Sequence, residues 1–162
     1  MNAIELLKSQ HRAVEKLFAQ IEKAKTADVK QKLFLEIADS LAVHATIEEH
    51  QFYPAVRAKR TEDILLEALE EHVGIKRVLA DLLETDAKDH TFDAKVKVLT
   101  EQVEHHVKEE ESDLFPKVKK ILGAEELEAL GQNMEAEQIE IEEKGQPRRA
   151  IPHETAEAAP LT

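Results

Sequence analysis

Residues 44–54 read HATIEEHQFYP, and residues 106–116 read HVKEEESDLFP. Both strings run His, three residues, Glu-Glu, two residues, a large apolar residue, an aromatic and Pro. A step of four on a helix returns to nearly the same face. His44 and Glu48 therefore point one way, and so do His106 and Glu110. Upstream of the first string lie Phe34, Ile37 and Leu41; upstream of the second lie Phe92, Val96, Leu99 and Val103. Those steps of three and four trace one apolar helix face. The His-Glu pairs continue that face rather than opposing it.

Each string is preceded by another helix of the same kind. Ile4, Leu7, His11, Val14, Phe18 and Ile21 form one seam; Leu65, Leu69, His72, Lys76, Leu79 and Leu83 form the other. Asn2 with Glu5 three residues on resembles a capping box, and Thr61 is a plausible cap for the third helix. KTAD around Asp28 and TDAKDHT at 85–91 read as connections. Pro54 and Pro116 should kink or end their helices, because proline lacks a donor and clashes with the preceding turn.

The two hairpins superimpose by counting. His11 to His72 is 61 residues, and His44 to His106, Glu48 to Glu110 and Pro54 to Pro116 are each 62. This is an internal two-fold repeat. The expected fold is all-α: an up-down-up-down four-helix bundle over residues 1–122. An acidic C-terminal helix is expected over 123–145, with a thin stripe of Leu127, Leu130 and Met134 interrupted by Gly131. Residues 146–162, rich in Pro, Ala and charge and without periodicity, read as a disordered tail.

Composition narrows the chemistry. The 162 residues suffice for one core, and the scarcity of Gly (4) and Pro (5) fits helices. The absence of Cys excludes disulfides, thiolate metal sites and a Cys nucleophile. The net charge of −12 disfavours nucleic acid and anionic membrane as partners. The start, MNAIELLKSQH, has neither the basic nor the apolar region of a signal peptide, and no run is long enough to span a membrane. A soluble, cytoplasmic protein is expected.

Six polar side chains thus face a Leu, Ile, Val and Phe interior: His11, His44, Glu48, His72, His106 and Glu110. One inward His alone is ordinarily a hydrogen-bonded core residue. One His-x-x-x-Glu alone is ordinarily an exposed helical pair. Together, on inward seams and in repeat register, they need a compensating charge, since an unpartnered buried carboxylate costs several kcal/mol. Two metal ions supply it. With both Glu bridging and two His on each metal, every metal has four protein ligands. A bridging oxide, hydroxide or water makes a fifth, and one position stays open. His nitrogen with carboxylate suits non-haem iron, with manganese or zinc permitted by ligand type. Glu49, Glu71, Glu109 and Glu111 are either acceptors for ligand imidazoles or a solvated face.

These motifs resemble the hemerythrin-like, HHE cation-binding family over roughly Met1 to Leu122, through Gln10–His11, the first string, Glu70–His72 and the second string. The resemblance implies a di-iron centre, with His11, His44, His72 and His106 as nitrogen ligands and Glu48 and Glu110 as bridges. The pattern departs from oxygen carriers, which place a His four residues after the third-helix ligand; here that residue is Lys76. The four-His, two-Glu set looks more like the iron-sensing domain of a ubiquitin-ligase subunit and bacterial hemerythrin-like proteins. Lys76 lies at the repeat position of Glu15, so the two are expected either to pair beside the cluster, with Glu15 as a further ligand in one version, or to sit solvated at the seam's edge. The aromatic-Pro is expected to close the helix rather than touch the metal.

Three functions fit this reading. The centre binds or senses O2, peroxide or iron. It decomposes hydrogen peroxide as a di-iron catalase or peroxidase. Or it is a non-catalytic iron sensor or iron-handling protein with metal-dependent stability. The C-terminal helix is left to cover the bundle, dimerise or dock a protein partner.

Overall fold

A computed structural model describes all 162 residues. Helix α1 spans Ala3–Lys23, α2 Ala27–Ile47, α3 Glu62–Leu83, α4 Phe92–Glu109 and α5 Ala124–Lys144. There are no strands. α1 packs on α2 and α3 on α4, and α5 lies along α1 and α2. The Asn2 capping box forms, with the Asn2 side chain accepting from the Glu5 amide at 2.9 Å and Glu5 accepting from the Asn2 amide at 3.2 Å. Thr26 caps α2, so the connection ends there and Asp28 already lies in the helix. Thr61 precedes α3 as expected, but its hydroxyl turns back to the Val56 carbonyl at 2.8 Å instead of capping.

α2 and α4 do not simply stop. Each runs into one π-helical turn, Glu48–Phe52 and Glu110–Leu114, before short helices Tyr53–Ala55 and Phe115–Val118. The Tyr53 amide donates to the Glu48 carbonyl, and the Phe115 amide to the Glu110 carbonyl. Those five-residue bonds insert one extra residue into the turn. The proline is tolerated because it then opens a new helical segment, where a missing donor matters least.

The inward polar residues divide the interior. One apolar cluster gathers Leu7, Ile47, Phe52, Leu65, Leu114 and Met134. The other gathers Val14, Phe18, Phe34, Leu79, Phe92 and Leu99. His11, His44, Glu48, His72, His106 and Glu110 form the polar layer between them, all buried. α5 matches its expected span and buries Leu127, Leu130 and Met134. Gly131 permits the contact: a Cβ there would lie 2.3 Å from the Met1 carbonyl oxygen.

The disordered tail expected over 146–162 is not what forms. Gly145 and Gln146 take positive φ (77° and 47°) and turn the chain back onto the bundle. A 3-10 segment, Pro147–His153, then packs on α2 and α3. Ile151 is buried in the core. Arg148 pairs with Asp39 at 2.7 Å, and Arg77 donates to the Thr155 carbonyl at 2.9 Å. The composition resembles a tail, but Ile151, contacts of Ala158, Ala159 and Leu161 with the core, and two ion pairs anchor a segment with no helical period.

No helix is long and apolar enough to cross a membrane.

Candidate metal centre

Each of the four imidazoles presents Nε2 inward and has Nδ1 occupied from outside. His11 Nδ1 meets Glu111 at 2.7 Å and His72 Nδ1 meets Glu49 at 2.7 Å. His106 Nδ1 meets Glu71 at 2.8 Å, and His44 Nδ1 meets the Gln10 side-chain oxygen at 2.7 Å. All four outer atoms are acceptors, so each Nδ1 carries a proton and Nε2 is the nitrogen turned to the interior, able to bind a metal once it gives up any proton of its own. The outer acceptors follow the repeat: Glu111 corresponds to Glu49, and Glu71 to Gln10. Of the glutamates left open by sequence, Glu49, Glu71 and Glu111 are thus acceptors. Glu109 instead lies 3.1 Å from the exposed His105.

The inward atoms converge. His11 Nε2, His44 Nε2, Glu48 and Glu110 offer ligand atoms all within 4.8 Å of one another, and Glu48, His72 and His106 form a second such group. His44 Nε2 is 2.5 Å from Glu48 Oε1, His11 Nε2 is 3.2 Å from Glu110 Oε1, and His72 Nε2 is 3.0 Å from Glu48 Oε2. Glu48 belongs to both groups through its two oxygens, as a bridge must. Yet His11 Nε2, His44 Nε2, Glu48 Oε1 and Glu110 Oε1 make no hydrogen bond although buried. Close approach without hydrogen-bond alignment is what ligands aimed at a shared point produce. A buried orphan polar atom costs about 1–3 kcal/mol, so four together call for an ion. The donor set fits a bound metal ion, with Glu48 shared between the two groups and Glu110 in the first group alone.

Protons do the compensating when metal is absent. Burial pushes the Glu48 carboxyl up, but the facing His44, His106 and His72 outweigh it and hold it well below the usual carboxylate range. Burial pushes His106 down, but Glu110, Glu48 and Glu71 hold it well above the usual imidazole range. His72 and His11 are raised the same way, against burial, by their glutamates.

Tyr53 is the participant that sequence reading missed. It is fully buried, and its hydroxyl lies 2.5 Å from Glu48 Oε2 and 2.7 Å from Glu110 Oε2. It is also 3.2 Å from His72 Nε2. Burial, then the charges of Glu110 and Glu48, push its phenol well above the ordinary range, so it stays protonated and donates. In an α-helix a residue five after Glu48 would point about 140° away. The π turn returns position five to the same face. The signal available was the aromatic-Pro following Glu-Glu, read as a helix closure. At the repeat position stands Phe115, which stacks on His11 at 6.0 Å.

Lys76 is buried, and its ammonium lies 3.0 Å from both Glu49 oxygens and 3.1 Å from Glu154. It touches the centre through Glu49 and His72. It does not pair with Glu15, which is partly exposed and lies 3.4 Å from Arg12. Arg12 in turn contacts Glu111. The expected Glu15–Lys76 pair fails because the two face different imidazoles: Lys76 backs Glu49, and Arg12 backs Glu111. His50 and His90 are exposed and outside the site, as is His105.

A curated DNA nickase from Nostoc is 28% identical over 89% of this chain, which spans 41% of that protein's length. The uncharacterized protein Rv2633c of Mycobacterium tuberculosis is 30% identical over 84% of each chain. The crystal structure of a hemerythrin HHE cation-binding domain protein, the Rv2633c homolog from Mycobacterium kansasii, superposes with a TM-score of 0.77. That match covers 95% of this chain and 91% of that one at 28% identity. The hemerythrin HHE cation-binding domain model matches residues 2–118, a span that contains every residue of the His/Glu layer, and the chain belongs to that family.

Proposed function

We propose that this protein is a non-haem di-iron protein that binds O2 or peroxide at a His4Glu2 centre. One observation carries the reading: four imidazoles held at Nδ1 from outside and two carboxylates converge, and four of their buried atoms have no partner but one another. His11, His44, His72 and His106 would hold the metals at the ends, and Glu48 and Glu110 would bridge. Iron bound there would supply reversible redox change and open positions for a small oxygen ligand. The chain itself supplies the rest. The outer glutamates and Gln10 orient the rings.

A second reading, decomposition of hydrogen peroxide, is favoured by Tyr53. Its hydroxyl holds a proton at the inner edge of both bridging carboxylates, where cleavage of an O–O bond would need one. The nicking activity named for the Nostoc relative belongs to a protein more than twice as long, and a net charge of −12 opposes binding to duplex DNA. The iron-handling alternative keeps the same ligands and requires no turnover.

The test is to load the metal-free protein anaerobically with Fe(II), then expose it to O2 and, separately, to hydrogen peroxide. The binding reading expects charge-transfer absorption that azide perturbs. Sustained O2 evolution from peroxide, reduced by Tyr53→Phe, selects the enzyme. Iron binding with no optical response to either oxidant selects iron handling and overturns the proposal.

A further inference from the structure

The imidazole layer is also the floor of a cavity. About 400 Å³ of space, partly open to solvent, is lined by His11, His44, His72 and His106 together with Val14, Leu41, Ile75, Leu79, Val103 and Val107. At the ~30 Å³ a water takes up in the liquid, it has room for about a dozen non-hydrogen atoms. O2 and peroxide have two. The lining is mainly apolar carbon and includes Ala150 and the buried Ile151 of the 3-10 segment. The rim, by contrast, is polar and acidic, with Asp39, Gln138, Glu142 and Glu154.

We propose that this cavity binds an amphipathic molecule with an oxygen-donor head, carboxylate or hydroperoxide, and an unbranched apolar tail of about six to eight carbons. The polarity fixes the orientation. The acidic rim repels an oxyanion, so the head goes to the floor. Lys76 is the one lysine or arginine in the lining, and Glu49 and Glu154 already hold it. The tail lies against Val14, Leu41, Ile75, Leu79 and Ile151. The head contact rests on the metal reading above; the tail contact rests on the walls alone.

The test uses the full chain loaded with zinc, which is redox-silent, with metal counted in the same sample. Straight-chain carboxylates from acetate to octanoate are titrated calorimetrically. The proposal expects affinity to rise about fourfold per added methylene from butanoate onward, as for a buried CH2. Ala42→Leu, which adds bulk to the lining, should flatten the rise before octanoate. Equal affinities along the series, or an unbroken rise in a folded Ala42→Leu protein, overturn the cavity proposal. A low zinc count with the chain-length rise intact would instead count against the metal centre and leave the cavity standing.

Discussion

At the scale of single residues, the centre is decided by what stands behind each ligand. Glu49 fixes His72 and is held by Lys76, so Glu49→Ala frees both the ring and a buried ammonium. The expected outcome is a ~10–100-fold loss of metal affinity, read by competition with a chelator of known strength. Tyr53→Phe removes a donor to two buried carboxylates and should destabilise the metal-free protein by about 1–3 kcal/mol in urea unfolding. The same change at Tyr53 should leave metal stoichiometry unaltered, since the hydroxyl is not needed to complete the ligand count. The six inward His and Glu residues were legible from spacing, because seam positions report facing directly. Tyr53 was not, since its placement depends on a π turn that an α period misassigns. Lys76 was legible as an anomaly, but its partner was not, because contacts between helices leave no trace in the spacing of one chain.

Elements were legible where they repeat and cap. The four bundle helices and α5 follow from apolar period, and Asn2 with Glu5 marks the start of α1. The segment after Lys144 was misread, since its anchoring by Ile151, Arg148 and Glu154 involves single residues with no period. Two predictions belong here. Gly131→Ala places a methyl against the Met1 and Asn2 backbone, which cannot yield as a side chain would. It should destabilise by about 1–3 kcal/mol, read as a lowered melting temperature with helix content retained. Ile151→Asp should release the 3-10 segment without unfolding the bundle, read as faster amide exchange confined to about residues 146–156.

For the whole molecule, the polar layer makes stability a function of pH and metal together. His106, His72 and His11 have raised pKa values, so their contribution to the metal-free fold is present below the ordinary 6.5 and is lost as pH rises through the raised values. Glu48 and Glu49 are lowered, so theirs is present above 4.5 and is lost as pH falls through the lowered values. The metal-free protein should therefore be most stable between those two pH values and lose stability on the alkaline side. Metal replaces the imidazole protons, so the loaded protein should hold its stability there, read as urea midpoints against pH. On the proposed reading, the layer between the two apolar clusters holds two metal ions. The most direct measurement is metal per chain by mass spectrometry after iron-replete expression, for the native chain and for Glu48→Gln and Glu110→Gln. About two irons in the native chain, with a marked loss in each variant, is the expected result; less than one iron in the native chain contradicts it.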